Sequence, residues 1–211
     1  MMLLNKLTMP TRVCQICNKQ IKPSLLFESC ICETCLNKMN VILKTFKIDG
    51  VKCLALYSYD SLTRSLIYQY KGLHDIGLQN IFLSPFLSFL KFIFHSYTLI
   101  YPPSYSNKHN EDLFSSLNLK TEDLFYKTID YKQSDQSFEN RVFISNYIKL
   151  KTKPLSKKYL LVDDVMTSGN TLKACINLLK KENIKQIKVL LISLNEHKDI
   201  YDKNKNDRNN D

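Results

Sequence analysis

The 211-residue sequence has no Trp and only 4 Gly. So little glycine, with no repeating period, excludes collagen-like and repeat architectures. An uninterrupted apolar span is also missing. The most apolar stretch, 76–101, is broken by Gln79, Asn80, Pro85, Lys91 and His95, whereas a bilayer crossing needs about 20 consecutive apolar residues. That composition predicts a buried helix over 78–95 and no membrane insertion. The first residues hold too few apolar side chains before Pro10 for a secretory core, so a cytoplasmic protein is expected. Acidic residues are the scarcer charge, 20 Asp+Glu against 30 Lys+Arg, for a net +10. What is present in quantity is core-forming: 44% hydrophobic residues with 11% aromatic, which excludes a disordered chain. The length suits one medium domain, or a domain with a small module attached.

The positive surplus is local. Residues 1–52 carry a net +5, and 149–158 holds five Lys and no acid, while the remainder sums to zero. A solvated lysine surface is the plain reading. The same surplus suits an anionic partner without choosing among phosphate, nucleic acid and membrane surface.

Seven Cys fall at 14, 17, 30, 32, 35, 53 and 175. Five lie within the first 35 residues, as expected of a metal site rather than disulfides in a chain without an export signal. Cys14-x-x-Cys17 and Cys32-x-x-Cys35 are two knuckles separated by fourteen residues. Each can present two thiolates to one tetrahedral Zn²⁺, read here as structural. Cys30 competes with Cys32 for a place in that set. Cys53 and Cys175 read as ordinary buried cysteines.

Periodicity assigns the rest. A helical connector is expected over 37–49 (Met39, Ile42, Leu43, Phe46), a strand over 51–59, an amphipathic helix over 62–70 stopped at Gly72, and a strand over 98–101. A helix over 111–119 and a strand over 123–130 follow, then a polar, basic stretch over 133–158 interleaved with Phe138, Phe143 and Tyr147. The clearest pattern comes last: a continuous apolar strand over 157–165, a loop, a helix over 171–182 and a second apolar strand over 187–194. Strand, helix and strand in that order form a βαβ unit in a parallel sheet.

The segment between the first of those strands and its helix carries the chemistry. Asp163 and Asp164 end a buried strand, where ionised groups are costly without a partner, at the sheet edge where open α/β folds bind ligands. Thr167, Ser168, Gly169, Asn170 and Thr171 then lead into a helix N-terminus. Backbone N–H groups, hydroxyls and a glycine there make a phosphate cradle. Carboxylates beside a phosphate imply ribose hydroxyls or Mg²⁺ between them. A helix cap alone would need one such residue rather than the whole run.

This arrangement resembles the phosphoribosyltransferase motif. By that resemblance Asp163 and Asp164 hold the ribose hydroxyls of 5-phosphoribosyl pyrophosphate (PRPP), bound with Mg²⁺, and residues Thr167, Ser168, Gly169, Asn170 and Thr171 hold its 5′-phosphate. A four-Cys module ahead of such a domain resembles the ComF family, linked to DNA uptake in natural transformation. Tyr59, Leu62, Leu66, Ile67, Tyr70, Lys71 and Gly72 are similar to a segment of that family. Tyr101-Pro102-Pro103-Ser104 stands where it has a turn facing pyrophosphate, and Gln133 with Arg141 matches a pair in its flexible loop. The resemblance implies a type I phosphoribosyltransferase-like α/β fold with a Rossmann-like parallel sheet and a small N-terminal zinc finger. The expected division is a zinc module and connector over 1–49, the phosphoribosyltransferase-like domain over 50–194, and a disordered tail over 195–211. Pro102, Pro103, Ser104, Lys71, Lys108 and Arg141 become candidates for the pyrophosphate side, and no catalytic residue stands out. Expected partners are PRPP or a related ligand, single-stranded DNA and DNA-uptake proteins. A nucleobase phosphoribosyltransferase of nucleotide salvage is the alternative.

Overall fold

The structure is a computed structural model that describes residues 12–21, 29–103, 107–128 and 147–195. Two short strands, β1 (Arg12–Val13) and β2 (Gln20–Ile21), pair antiparallel around the first cysteine knuckle, and α1 (Glu33–Lys38) carries the second, with Cys32 at its N-cap and Cys35 inside it. The connector expected to be helical is instead a strand, β3 (Val41–Ile48), forming a hairpin with β4 (Val51–Ser58). The turn decides this. Asp49 and Gly50 sit at φ 47° and 78°, and a two-residue hairpin turn with both central residues at positive φ matches the twist of the flanking strands. That turn pairs Ile48 with Val51 and zips the chain back along β4, overriding a coincidental helical spacing.

Helix α2 (Ser61–Gly72) is set by its N-cap, since Asp60 Oδ1 accepts from the Thr63 N–H at 2.8 Å. Leu66, Ile67 and Tyr70 are buried on one side, the stripe the sequence showed. The long buried helix expected over 78–95 is shorter. Two 3-10 turns, Ile76–Leu78 and Ser84–Phe86, precede α3 (Leu87–Phe94). Pro85, without an N–H and with a fixed φ, confines the α-helix to the residues after it. Among the described residues no helix is long and apolar enough to cross a membrane.

Then come β5 (Thr98–Ile100), α4 (Asn107–Phe114), and a separate ribbon of β6 (Phe125–Lys127) with β7 (Ile148–Leu150). The βαβ unit comes last among the described elements: β8 (Lys158–Met166), α5 (Asn170–Lys181) and β9 (Gln186–Leu194). Asn183, at φ 60°, ends the helix turn. The sheet order is β3-β4-β9-β8-β5, parallel except for the edge strand β3.

Alternation along the strands makes two cores. On one face Leu56, Leu160, Val162, Leu190 and Ile192 pack with Leu66 and Ile67 of α2 and Leu90 and Phe94 of α3. Cys14, Ile31, Cys35 and Met39 of the cysteine module belong to this same cluster. On the other face Ala55, Tyr159, Leu161, Val189 and Leu191 pack with Leu172, Cys175, Ile176 and Leu179 of α5 and with Phe125 and Ile148 of the ribbon. Each fully buried side chain of this size contributes about 1.5–3 kcal/mol, so the strands are held from both sides.

Candidate functional site

The two knuckles converge. The Cys14 N–H donates to the Lys19 carbonyl and the Asn18 N–H to the Cys14 carbonyl, both at 2.8 Å, with Asn18 at φ 57°. The Cys35 N–H donates to the Cys32 carbonyl at 3.0 Å as α1 begins. The Sγ atoms of Cys14, Cys17, Cys32 and Cys35 all lie within 4.8 Å of one another, and those of Cys17 and Cys32 are 3.7 Å apart. Tetrahedral Zn–S bonds of about 2.3 Å require sulfurs about 3.8 Å apart, so this donor set fits Zn²⁺. Burial alone would raise the Cys14 thiol, but hydrogen bonds from the backbone of Cys32, Cys17 and Ile16 and from Cys17 Sγ bring it down to about 6, toward the thiolate a metal takes. Cys30 is not in the set. Its Sγ meets Ser84 Oγ at 3.0 Å, and its N–H donates to the same oxygen at 3.2 Å. The contest between Cys30 and Cys32 thus ends with Cys32 in the cluster and Cys30 fastening the module to the turn before α3.

The second constellation lies at the C-terminal edge of the parallel strands. β8 carries Asp163 and Asp164 out of the core: Tyr159 to Val162 are buried and the two aspartates half-buried. The Asp164 N–H donates to Asp163 Oδ1 at 3.0 Å, and the Ser193 hydroxyl of β9 donates to the Asp164 carbonyl at 3.4 Å. Lys71, in the last turn of α2, places Nζ 2.9 Å from Asp164 Oδ2. The two carboxyls therefore titrate apart. Desolvation of its carboxyl and then the neighbouring Asp164 push Asp163 well above the usual carboxylate range. Burial acts upward on Asp164 too, but the Lys71 ammonium outweighs it and holds Asp164 low. The two carboxyls are thus pushed in opposite directions.

Beyond the aspartates, Thr167 is exposed and Ser168 half-buried, and Gly169 turns the chain at φ 70° to start α5. Only the φ value demands glycine there, because an added Cβ would meet nothing nearer than Met166 Sδ at 3.4 Å. Ser168 Oγ accepts a long bond of 3.5 Å from the Asn170 N–H. The first helical bond runs from the Lys173 N–H to the Gly169 carbonyl at 2.9 Å. The α5 N-terminus, with Asn170 and Thr171 in its first turn, directs amide N–H groups and the positive end of the helix dipole toward this edge.

β5 runs parallel beside β8, with Ile100 opposite Leu161, so the buried Tyr101, Pro102 and Pro103 follow it at the same edge. The structure thus brings Asp163, Asp164, residues 167–171, Lys71, Pro102 and Pro103 to one rim. Ser104, Gln133 and Arg141 lie outside the described residues, as does the side chain of Lys108, whose backbone is in α4.

One residue of this rim was not singled out from the sequence. Lys127, at the end of β6, is half-buried. Burial lowers its ammonium, while the charge of Asp163 acts in the opposite direction. The available signal was register: Phe125 and Lys127 stand on the same, inward side of a short strand whose Tyr126 faces out.

The family model described as "Phosphoribosyl transferase domain" matches residues 95–210, more than half of the chain. No curated protein sequence matches it. Among solved structures, a hypoxanthine phosphoribosyltransferase from Staphylococcus aureus is 16% identical with TM-score 0.38, covering 56% of this chain and 62% of that one. Adenine phosphoribosyltransferase from Saccharomyces cerevisiae is 12% identical with TM-score 0.40, over 58% of this chain and 72% of the yeast one. The adenine enzyme from Giardia lamblia is 13% identical with TM-score 0.39, over 59% and 83%. The chain spans less than two thirds of the length of the staphylococcal enzyme.

Proposed function

Because the chain belongs to the phosphoribosyl transferase domain family, we propose that the rim around Asp163 and Asp164 binds PRPP with Mg²⁺. We further propose that the protein acts, in the manner of the ComF family, on single-stranded DNA entering the cytoplasm during natural transformation. The observation that carries the ligand assignment is the pair of unlike carboxyls, one paired with Lys71 at 2.9 Å, directly ahead of a helix that starts on a left-handed glycine. Asp164, ionised, accepts from a ribose hydroxyl. Asp163 contacts the neighbouring ribose hydroxyl. The 5′-phosphate lies against residues 167–171 at the α5 N-terminus, and Lys71 exchanges its carboxylate for pyrophosphate oxygens. Ser104, Lys108 and Arg141 join Lys71, Pro102 and Pro103 on that side.

The carboxylates of the rim are hard oxygen donors, the chemistry Mg²⁺ requires, with Asp163 and Asp164 as the residues that would hold it together with the ligand's phosphates. Bound there, Mg²⁺ supplies neutralisation of phosphate charge. The chain's own part is to orient the ribose between the aspartates and to stabilise departing pyrophosphate with cations.

Two features support the ComF-like reading. The four-Cys cluster sits in the same core as the phosphoribosyltransferase-type sheet. Lys149, Lys151, Lys153, Lys157 and Lys158 form a basic stretch suited to a strand backbone, and binding there would weaken steeply with added salt.

The test has two arms. PRPP with Mg²⁺ should raise the melting temperature of the parent protein and leave Asp163→Ala/Asp164→Ala unshifted; an equal rise in both would overturn the ligand site. In cells, deletion of the gene should abolish transformation, with rescue by the parent and not by the double variant. Normal transformation in the deletion strain, with pyrophosphate release upon adding a nucleobase, would replace DNA handling by nucleobase salvage.

A further inference from the structure

At the opposite end of the sheet from the aspartates, the register sets three lysines in a row. Lys47 of β3 lies opposite Lys52 of β4, and Lys52 lies opposite Lys188 of β9. Residues directly opposite share a face, and neighbouring strands are about 4.8 Å apart. Like charges so placed oppose pairing. Among the described residues no carboxylate pairs with any of the three. Lys188 instead extends over the rings of Phe94 and Tyr97, 5.6 and 5.1 Å from their centroids. Such a row presents positive charge suited to a ligand with several negative charges.

The next rungs of this face are uncharged: Thr45 opposite Leu54, and Leu54 opposite Leu190. Thr45 and Leu54, with Leu43 and with Phe89, Ile93 and Phe94 of α3, line an open cleft of about 520 Å³ that has the lysines at one end. Leu43 and Phe89 at the far end are 45% and 54% exposed. From Lys47 to Leu43 the strand covers roughly 13 Å, at about 3.3 Å per residue. The cleft therefore has a charged head and an apolar tail.

We infer that this cleft binds an amphiphile with a medium-length alkyl or acyl chain and a phosphorylated, multiply charged head. The head meets Lys47, Lys52 and Lys188, and the chain lies along Leu54 and Ile93 toward Leu43 and Phe89. Polarity along the cleft selects this occupant. An acidic helix lying beside α3 would meet the lysines only at its end, and a nucleobase would find Thr45 as the sole neutral polar side chain among the lining residues. The site is separate from the proposed PRPP rim.

Titration calorimetry of the full chain with decyl phosphate, below its micellar concentration, tests this. Saturable binding of one molecule per chain is expected, with decanol and with inorganic pyrophosphate each weaker by about tenfold or more. Lys52→Gln and, on the edge strand, Lys47→Gln should each weaken decyl phosphate about tenfold, and Phe89→Ser should do so several-fold. Melting temperature reports folding of each variant, and both lysine variants should melt no lower than the parent. Equal affinity for decanol and decyl phosphate, undiminished binding by folded Lys52→Gln and Lys47→Gln, or binding of an acidic peptide or oligothymidylate to the cleft without decyl phosphate would each overturn the inference.

Discussion

Replacing each of two adjacent aspartates by its isosteric amide should move stability in opposite directions. Asp164→Asn leaves the Lys71 ammonium facing a neutral group. At 2.9 Å the direct attraction is roughly 6 kcal/mol at an effective dielectric constant of about 20. The side chains of Lys71 and Asp164 retain 28% and 16% exposure, and water access with the desolvation of both charges reduces the net loss to about 1–2 kcal/mol. For a chain of this length that lowers the melting temperature by about 2–8 °C. Asp163→Asn removes a carboxyl whose ionised form burial and Asp164 disfavour, so at pH 7 it should leave stability unchanged or raise it. The pH dependence separates the two further. A raised folded pKa means that the parent loses Asp163's contribution as pH climbs from the unfolded value of about 3.9 through the folded one, so the advantage of Asp163→Asn grows with pH. A lowered folded pKa means that Asp164's contribution is present above about 3.9 and lost as pH falls below it. The deficit of Asp164→Asn should therefore shrink in acid. Thermal melts of the three proteins from pH 2 to 8 measure both trends. Shifts of the same sign and size across that range would refute the division of charge between the two carboxyls.

Other outcomes follow from the same structure. Because Cys14, Cys35 and Met39 share a core with Leu56 and Phe82, zinc chelation should lower one cooperative melting transition by calorimetry rather than melt the cysteine module alone; an unshifted main transition would contradict this. Cys30→Ala should keep one zinc per chain by metal analysis while lowering stability through its lost contact with Ser84; Cys17→Ala should lose the metal. Gly169→Ala forces a side chain into φ 70° and should cost about 1–2 kcal/mol in denaturant unfolding, with weakened PRPP binding. Lys127→Met should raise the Asp163 pKa further, read as an upward shift of its carboxyl titration by NMR, since the ammonium lies close enough to act on it.

What could be read beforehand was whatever depends on neighbours in sequence. The βαβ unit declared itself because Tyr159 to Val162 are continuously apolar and the turn residues lie in one run. The four-cysteine set did so because each knuckle is local. The strand over Val41–Ile48 was hidden by an accidental helical spacing of Met39, Ile42, Leu43 and Phe46, although Asp49-Gly50 was the stronger signal. The short β7 strand, Ile148–Leu150, disappeared in a basic stretch because three residues make no period. Lys71 could be named as a cation, but its seat on Asp164 depends on where α2 ends relative to β8, a relation set by packing across the whole sheet. Lys127 required the same kind of knowledge.

The strand at the centre of the sheet, β9, is synthesised after every other described element, yet β4 and β8 both pair with it. On the ribosome the knuckles, the first hairpin and α2 emerge and must wait, with β4 lacking its inner neighbour, until β9 has been made. Long-range parallel pairing of this kind is slow and leaves sticky intermediates. A premature stop codon anywhere before Gln186 would accordingly yield no smaller working version of the protein, only a nascent chain for chaperones and proteases to clear.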